Sequence, residues 1–164
     1  MITFFVPGRA VPGGSKRAFS IKKAGKYTGR VAIVDAAGQA NKDWKAVVKL
    51  AAEVAMRGYP PTDLPLLVMM TFYMKRPKYQ FGSGRNADKI KDSSPRFHQS
   101  MPDALKLMRS TEDAMTGIVW KDDNGNVTVV ATKLYADGPL RPGAAIHVRE
   151  IKSLEDIAPY TVLQ

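Results

Sequence analysis

Asp103, Asp122 and Asp123 stand close in the chain to Lys106 and Arg109, and these are the residues best suited to chemistry. Carboxylates are hard oxygen donors for a divalent cation such as Mg2+, and the neighbouring cations suit a phosphate. Together they point to phosphodiester hydrolysis by a metal-dependent nuclease. The formal charge of +10 favours a polyanionic partner such as DNA. Each acid also has a plainer use. Asp103 stands where a helix N-cap would, and Asp122 and Asp123 precede the turn-forming pair Asn124-Gly125.

The element that must position these groups is a helix from Pro102 or Asp103 to Met115, ended by Gly117. At helical spacing Ala104, Leu107, Met108, Thr111, Ala114 and Met115 share one side, which should pack. Asp103, Lys106, Ser110 and Asp113 share the other, which should meet solvent or substrate. Asp113 lies about 15 Å along the axis from Asp103, so the two cannot share an ion. Asp113 reads about equally as a functional residue and as a surface or dimer-contact residue.

Composition narrows the alternatives. The chain has 164 residues, 45% of them hydrophobic, enough for one core and one domain spanning 1–164. With no cysteine and two isolated histidines, His98 and His147, any metal must be held by oxygen. The absence of a membrane-length apolar run or a signal-like N-terminus predicts a soluble, cytoplasmic protein. Charge is concentrated in two segments. Residues 1–30 hold seven Lys or Arg and no acid, and residues 75–100 hold seven against two. Such basic loops suit a phosphate backbone. The plainer alternative is a solvated surface, and a membrane surface fits less well because neither segment has an amphipathic helix.

Elsewhere, Ile2 to Val6 reads as a strand, Val31 to Val34 as a short strand within the first basic arm, and Gln39 to Arg57 as a helix. Trp44, Val47, Val48, Ala51 and Val54 form its expected apolar stripe, and Gly58 closes it. Leu64 to Met74 reads as a central strand. Val127 to Tyr135 and Ala144 to Ile151 read as a hairpin turning at Asp137-Gly138-Pro139. The segment 75–101 shows no period, which marks a functional or disordered loop. Trp44 and Trp120 read as packed residues. Phe97, in a basic loop, is the best candidate for wedging or stacking at a branch point. The order β-α-β-α-β-β predicts an α+β fold, a mixed β-sheet with two packed helices; a more fully parallel α/β layer is the alternative.

Two stretches resemble a known family. Val6-Pro-Gly-Arg-Ala-Val-Pro-Gly-Gly-Ser-Lys-Arg17 is similar to the opening strand and glycine-rich basic loop of the RusA-type Holliday junction resolvases. Pro102-Asp103 through Asp113-Ala-Met-Thr-Gly117 to Asp122-Asp123 resembles their signature helix and acidic pair. The resemblance implies a homodimeric, Mg2+-dependent endonuclease that cuts branched DNA by paired nicks, with Mn2+ able to substitute and no small-molecule cofactor. It also implies a bacterial, phage or prophage setting.

The family site is three aspartates and a lysine. Asp103 and Asp123 match two of the aspartates; the third falls on Leu105, an adjoining asparagine on Lys106, and the lysine on Arg109. Arginine keeps the charge but cannot transfer a proton, a role left to Lys106. Asp122 is the nearest substitute carboxylate, provided a turn brings it beside Asp123. The resemblance places DNA contacts at Ser15, Lys16, Arg17, Lys22 and Lys23 in the first loop, and at Lys75, Arg76, Lys78, Arg85 and Arg96 in the second. A non-catalytic branched-DNA-binding protein with a degenerate metal site is the other expectation.

Overall fold

The structure, a computed structural model, describes residues 1–14, 16–35 and 38–162. Its centre is β4 (Leu66–Met74), whose sequence LLVMMTFYM is apolar with no charge to turn outward. Such a strand needs a neighbour on each edge and cover on its faces. It pairs in parallel with β5 (Asn126–Tyr135) and antiparallel with β6 (Gly143–Glu150), and β6 pairs antiparallel with β1 (Ile2–Pro7). The sheet order is β1-β6-β4-β5.

The expected β5–β6 hairpin is therefore corrected. The two strands flank β4 on opposite sides, and the chain from Ala136 to Pro142 crosses the end of β4 instead of folding back on β5. Ala136 N donates to Met74 O at 2.9 Å as that crossing begins.

Helices α1 (Gly38–Met56) and α2 (Ala104–Met115) cover one face of the sheet. Val68, Met70, Phe72, Ala144 and Ile146 from the strands meet Trp44, Val48, Leu107 and Met115 from the helices in one core. The stripe of α1 is rotated from expectation. Asn41, Trp44, Val48, Ala52 and Met56 are buried, whereas Val47 and Val54 are exposed. The left-handed turn that ends α1 starts at Arg57 (φ +50°), one residue before Gly58 (φ +81°).

The first basic arm is also more ordered than the sequence suggested. Residues Lys16–Lys23 (β2) and Lys26–Asp35 (β3) form a two-stranded antiparallel ribbon outside the main sheet. The observed order is thus β-β-β-α-β-α-β-β, still α+β with a mixed sheet and two packed helices.

The segment 75–101 is built around two buried polar residues. Arg76 makes a double hydrogen bond to Asp137, Nε to Oδ1 at 2.8 Å and Nη2 to Oδ2 at 2.6 Å. Its Nη1 donates to Gln80 Oε1 at 2.7 Å, and the guanidinium lies 3.8 Å from the Tyr135 ring centre. Gln80 O accepts from Lys91 N and Ser94 Oγ, which folds the loop back on itself.

Candidate functional site

Asp103 occupies the N-cap position of α2 in extended conformation, yet its side chain makes no capping hydrogen bond. The capping use considered for it is therefore not made. Its carboxylate is exposed, with Lys106 Nζ at 3.5 Å one turn along the helix. Lys133 on β5 fixes this end of α2. Its ammonium donates to the carbonyls of Ser100 and Pro102, both at 2.8 Å. Nothing in the sequence pointed to Lys133, because the contact depends on how β5 lies against the helix.

At the other end, Asn126 Nδ2 donates to Glu112 Oε1 at 2.8 Å. These contacts lay α2 antiparallel along β5, with Asp103 toward the end of the strand and Asp122 and Asp123 just before its start. Glu112 is half-buried, and burial raises its pKa. The Asn126 amide opposes that shift, while the charges of Asp123 and Asp113 add to it. Sequence reasoning misses Glu112 because it sits between the packing and exposed faces.

Asp122 and Asp123 do enter a turn. Asp122 caps a 3-10 turn over Asp123–Gly125, its Oδ1 accepting from Asn124 N at 2.9 Å. That bond commits Asp122 to local structure and leaves the exposed Asp123 carboxylate as the better ligand of the pair. Leu105 is 70% exposed, so the expected third carboxylate is replaced by a side chain facing solvent. Among the described residues, no three His, Cys, Asp or Glu side chains converge as a metal cluster. Mg2+ commonly takes one or two protein carboxylates and fills its shell with water and phosphate. The uncapped, exposed carboxylate of Asp103 fits that manner of binding, as does that of Asp123.

The glycine-rich loop docks on α2 beside these groups. Gly13 N donates to Lys106 O at 3.0 Å, and a Cβ on Gly13 would lie 3.1 Å from Ser110 Cβ. Gly14 (φ +80°) lies against the Arg109 side chain. Ser110, expected on the solvent side, is fully buried because Asn41 Nδ2 reaches its Oγ at 2.6 Å. The base of the β2–β3 ribbon is thereby held next to Lys106 and Arg109.

The remaining expected contacts divide. Lys16, Arg17, Lys22, Lys23, Lys75, Lys78, Arg85 and Arg96 are exposed. Ser15 lies outside the described residues. Arg76 is corrected: its side chain is only 4% exposed and is held in the ion pair with Asp137, so it is not free for a phosphate. Asp113 pairs with Lys45 of α1 at 2.9 Å. Phe97 is 55% exposed, with the Arg96 guanidinium 5.8 Å from its ring centre. Trp44 and Trp120 are buried, each donating its indole N–H to a threonine, Thr111 and Thr116 respectively.

An α+β layer with acidic residues at the ends of one helix and a basic ribbon beside it defines the class. A family model described as Endodeoxyribonuclease RusA matches residues 12–149. The chain belongs to the RusA endodeoxyribonuclease family, whose members are Mg2+-dependent endonucleases that resolve Holliday junctions. No curated protein matches it. No helix among the described residues is long and apolar enough to cross a membrane.

Proposed function

We propose that this chain is a single-domain, homodimeric endonuclease that cuts four-way DNA junctions by hydrolysing a phosphodiester on each of two strands. The observation that carries this reading is the docking of the Gly13-Gly14 loop on α2, which holds the base of a basic ribbon beside Lys106 and Arg109, one turn along the helix from Asp103. DNA gripped by the ribbon is thus delivered to the acidic residues of the family motif.

Asp103 would hold Mg2+ as a lone carboxylate, with water and phosphate in its other positions, and Asp123, at the far end of α2, would hold a separate ion. A bound Mg2+ would supply an acidified water and charge neutralisation at the scissile phosphate. Lys106, 3.5 Å from the Asp103 carboxylate, is placed to pass a proton to the leaving oxygen. Arg109 orients a non-bridging phosphate oxygen through paired N–H groups. Two copies related by a two-fold axis match the symmetry of a junction.

A second reading is favoured by Leu105 and by the separation of Asp103 from Asp123 along β5: a branched-DNA-binding protein whose metal site has decayed. Incubation with a labelled four-way junction and Mg2+ separates the two. Paired symmetric nicks are expected. Junction binding with no nick in Mg2+ or Mn2+ would assign the second reading.

A further inference from the structure

Among the described residues, the β2–β3 ribbon packs extensively against no other element of the fold. Every residue of β2 is exposed, and the extensive contacts of both strands are with each other. Its end is a two-residue turn, Ala24 (φ +48°) and Gly25 (φ +76°), joining the paired Lys23 and Lys26. Positive φ at both positions is the type I′ geometry of tight hairpins. Isolated two-stranded hairpins are marginal in water, and this one exposes Phe19, Tyr27, Val31 and Ile33 at 50%, 69%, 60% and 67%. An exposed apolar and cationic ribbon of this kind marks an interaction surface.

Charge identifies the occupant. Residues 16–35 carry six Lys or Arg and one acid, a net +5. A second copy of the ribbon would set +5 against +5, whereas a phosphate backbone supplies the opposite charge. Shape agrees, because the major groove admits a two-stranded β-ribbon.

The distribution of side chains agrees as well. Cross-strand partners share a face, so Ala18 with Ile33 and Ser20 with Val31 make one uncharged strip. Lys16, paired with Asp35, lies at one end of that strip, and Lys22, past a register shift after Ser20, at the other, where its Nζ rests 4.5 Å from the Tyr27 ring centre. An uncharged strip of Ala, Ser, Val and Ile leading to a cationic tip at Lys22, Lys23 and Lys26 suits base edges and thymine methyls beside a phosphate row.

We infer that the β2–β3 ribbon inserts into the major groove of one duplex arm of the substrate, with Lys22, Lys23 and Lys26 on phosphates remote from the cleavage site. The inference rests on the DNA-binding reading above. Eight extended residues reach about 27 Å, the rise of about eight base pairs. The ribbon therefore reads an arm of the junction, leaving the branch point to the residues around α2.

The test is binding without cleavage, in EDTA, to a four-way junction and to a linear duplex. Guanine N7 methylation reports the major groove, and hydroxyl-radical footprinting reports the backbone. The wild-type chain should protect N7 positions and phosphates along an arm out to about eight base pairs. The triple variant Lys22→Gln/Lys23→Gln/Lys26→Gln should lose the distal protections. Its plot of log affinity against log salt should be shallower by about 2.7, since three phosphates are no longer neutralised. Its melting temperature should match the wild type because the ribbon supports no core.

N7 positions left reactive in the wild-type complex would overturn the inference, as would an unchanged footprint and slope in the variant. A variant that changes oligomeric state in sedimentation would assign the ribbon to a second copy. Failure of the wild type to bind DNA at all would instead remove the functional reading on which the inference stands.

Discussion

Asn41 on α1 and Ser110 on α2 are joined by a buried 2.6 Å hydrogen bond, and the same amide reaches the Pro12 carbonyl at 3.2 Å. Two helices and the glycine-rich loop thus meet at one side chain. Asn41→Ala would leave the Ser110 hydroxyl buried without that donor, a cost of about 2 kcal/mol in urea unfolding. The loop that anchors the ribbon would also loosen. Junction affinity should fall together with stability, and a variant that binds and unfolds like the wild type would show that the clamp is dispensable.

The segment 75–101 depends on the pairing of Arg76 with Asp137. Removing one partner strands a buried guanidinium, so Asp137→Asn should destabilise the protein by about 3 kcal/mol. The salt dependence of DNA binding should not change, since the pair is committed inside the protein. A shallower salt slope in this variant would mean that Arg76 reaches DNA after all.

Leu105→Asp places a carboxylate at an exposed helical position and should alter stability by less than about 0.5 kcal/mol. It restores the third acid of the family motif. Mg2+ needed for half-maximal cleavage should fall, and in a chain with a decayed site cleavage should first become measurable here. Identical Mg2+ dependence in the two proteins would show that this position does not face the metal.

His98 should make stability depend on pH. Its ring is buried 5.1 Å from the Tyr135 ring, Nδ1 has no hydrogen-bond partner among the described residues, and burial, followed by the charge of Lys133, holds its pKa below the ordinary value. The unfolded chain takes up this proton near pH 6.5 and the folded chain only at lower pH. Its contribution is therefore complete above about pH 6.5 and is lost as pH falls toward the folded pKa. Melting temperature should drop between about pH 7.5 and 5.5, and His98→Phe should flatten that drop.

Local periodicity located most of the fold. The strands β1, β4, β5 and β6 and both helices fall within about two residues of their expected ends, because apolar spacing is set by neighbours in sequence. Pairing was less visible. β5 and β6 look like a hairpin until β4, largely apolar and uncharged, takes the place between them. The ribbon is hard to see in the sequence because a strand exposed on both faces has no inside to alternate with, and only Val31 to Val34 betrays β3. In α1, Asn41 is buried because its amide finds three acceptors, so a polar residue joined the packed face and Val54 was turned out.

The candidate site was legible at Asp103 and Asp123, where residue type and spacing carry the motif. Its supports were not. Lys133 holds the start of α2 from a strand 31 residues away, and Asn126 reaches Glu112 only because β5 runs antiparallel to the helix. Arg76 looks like one more cation in a basic loop until its carboxylate partner, 61 residues on, is known.

The most direct measurement is cleavage of a labelled four-way junction in Mg2+ by the wild type, Asp103→Asn and Asp123→Asn, with a linear duplex of matching sequence beside it. Paired nicks in the junction are expected from the wild type. Each substitution should slow them by about a thousandfold, the loss of several kcal/mol of transition-state stabilisation, while leaving binding in EDTA unchanged. Full activity in either variant, or binding by the wild type without any nick, would contradict hydrolysis at Asp103 and Asp123.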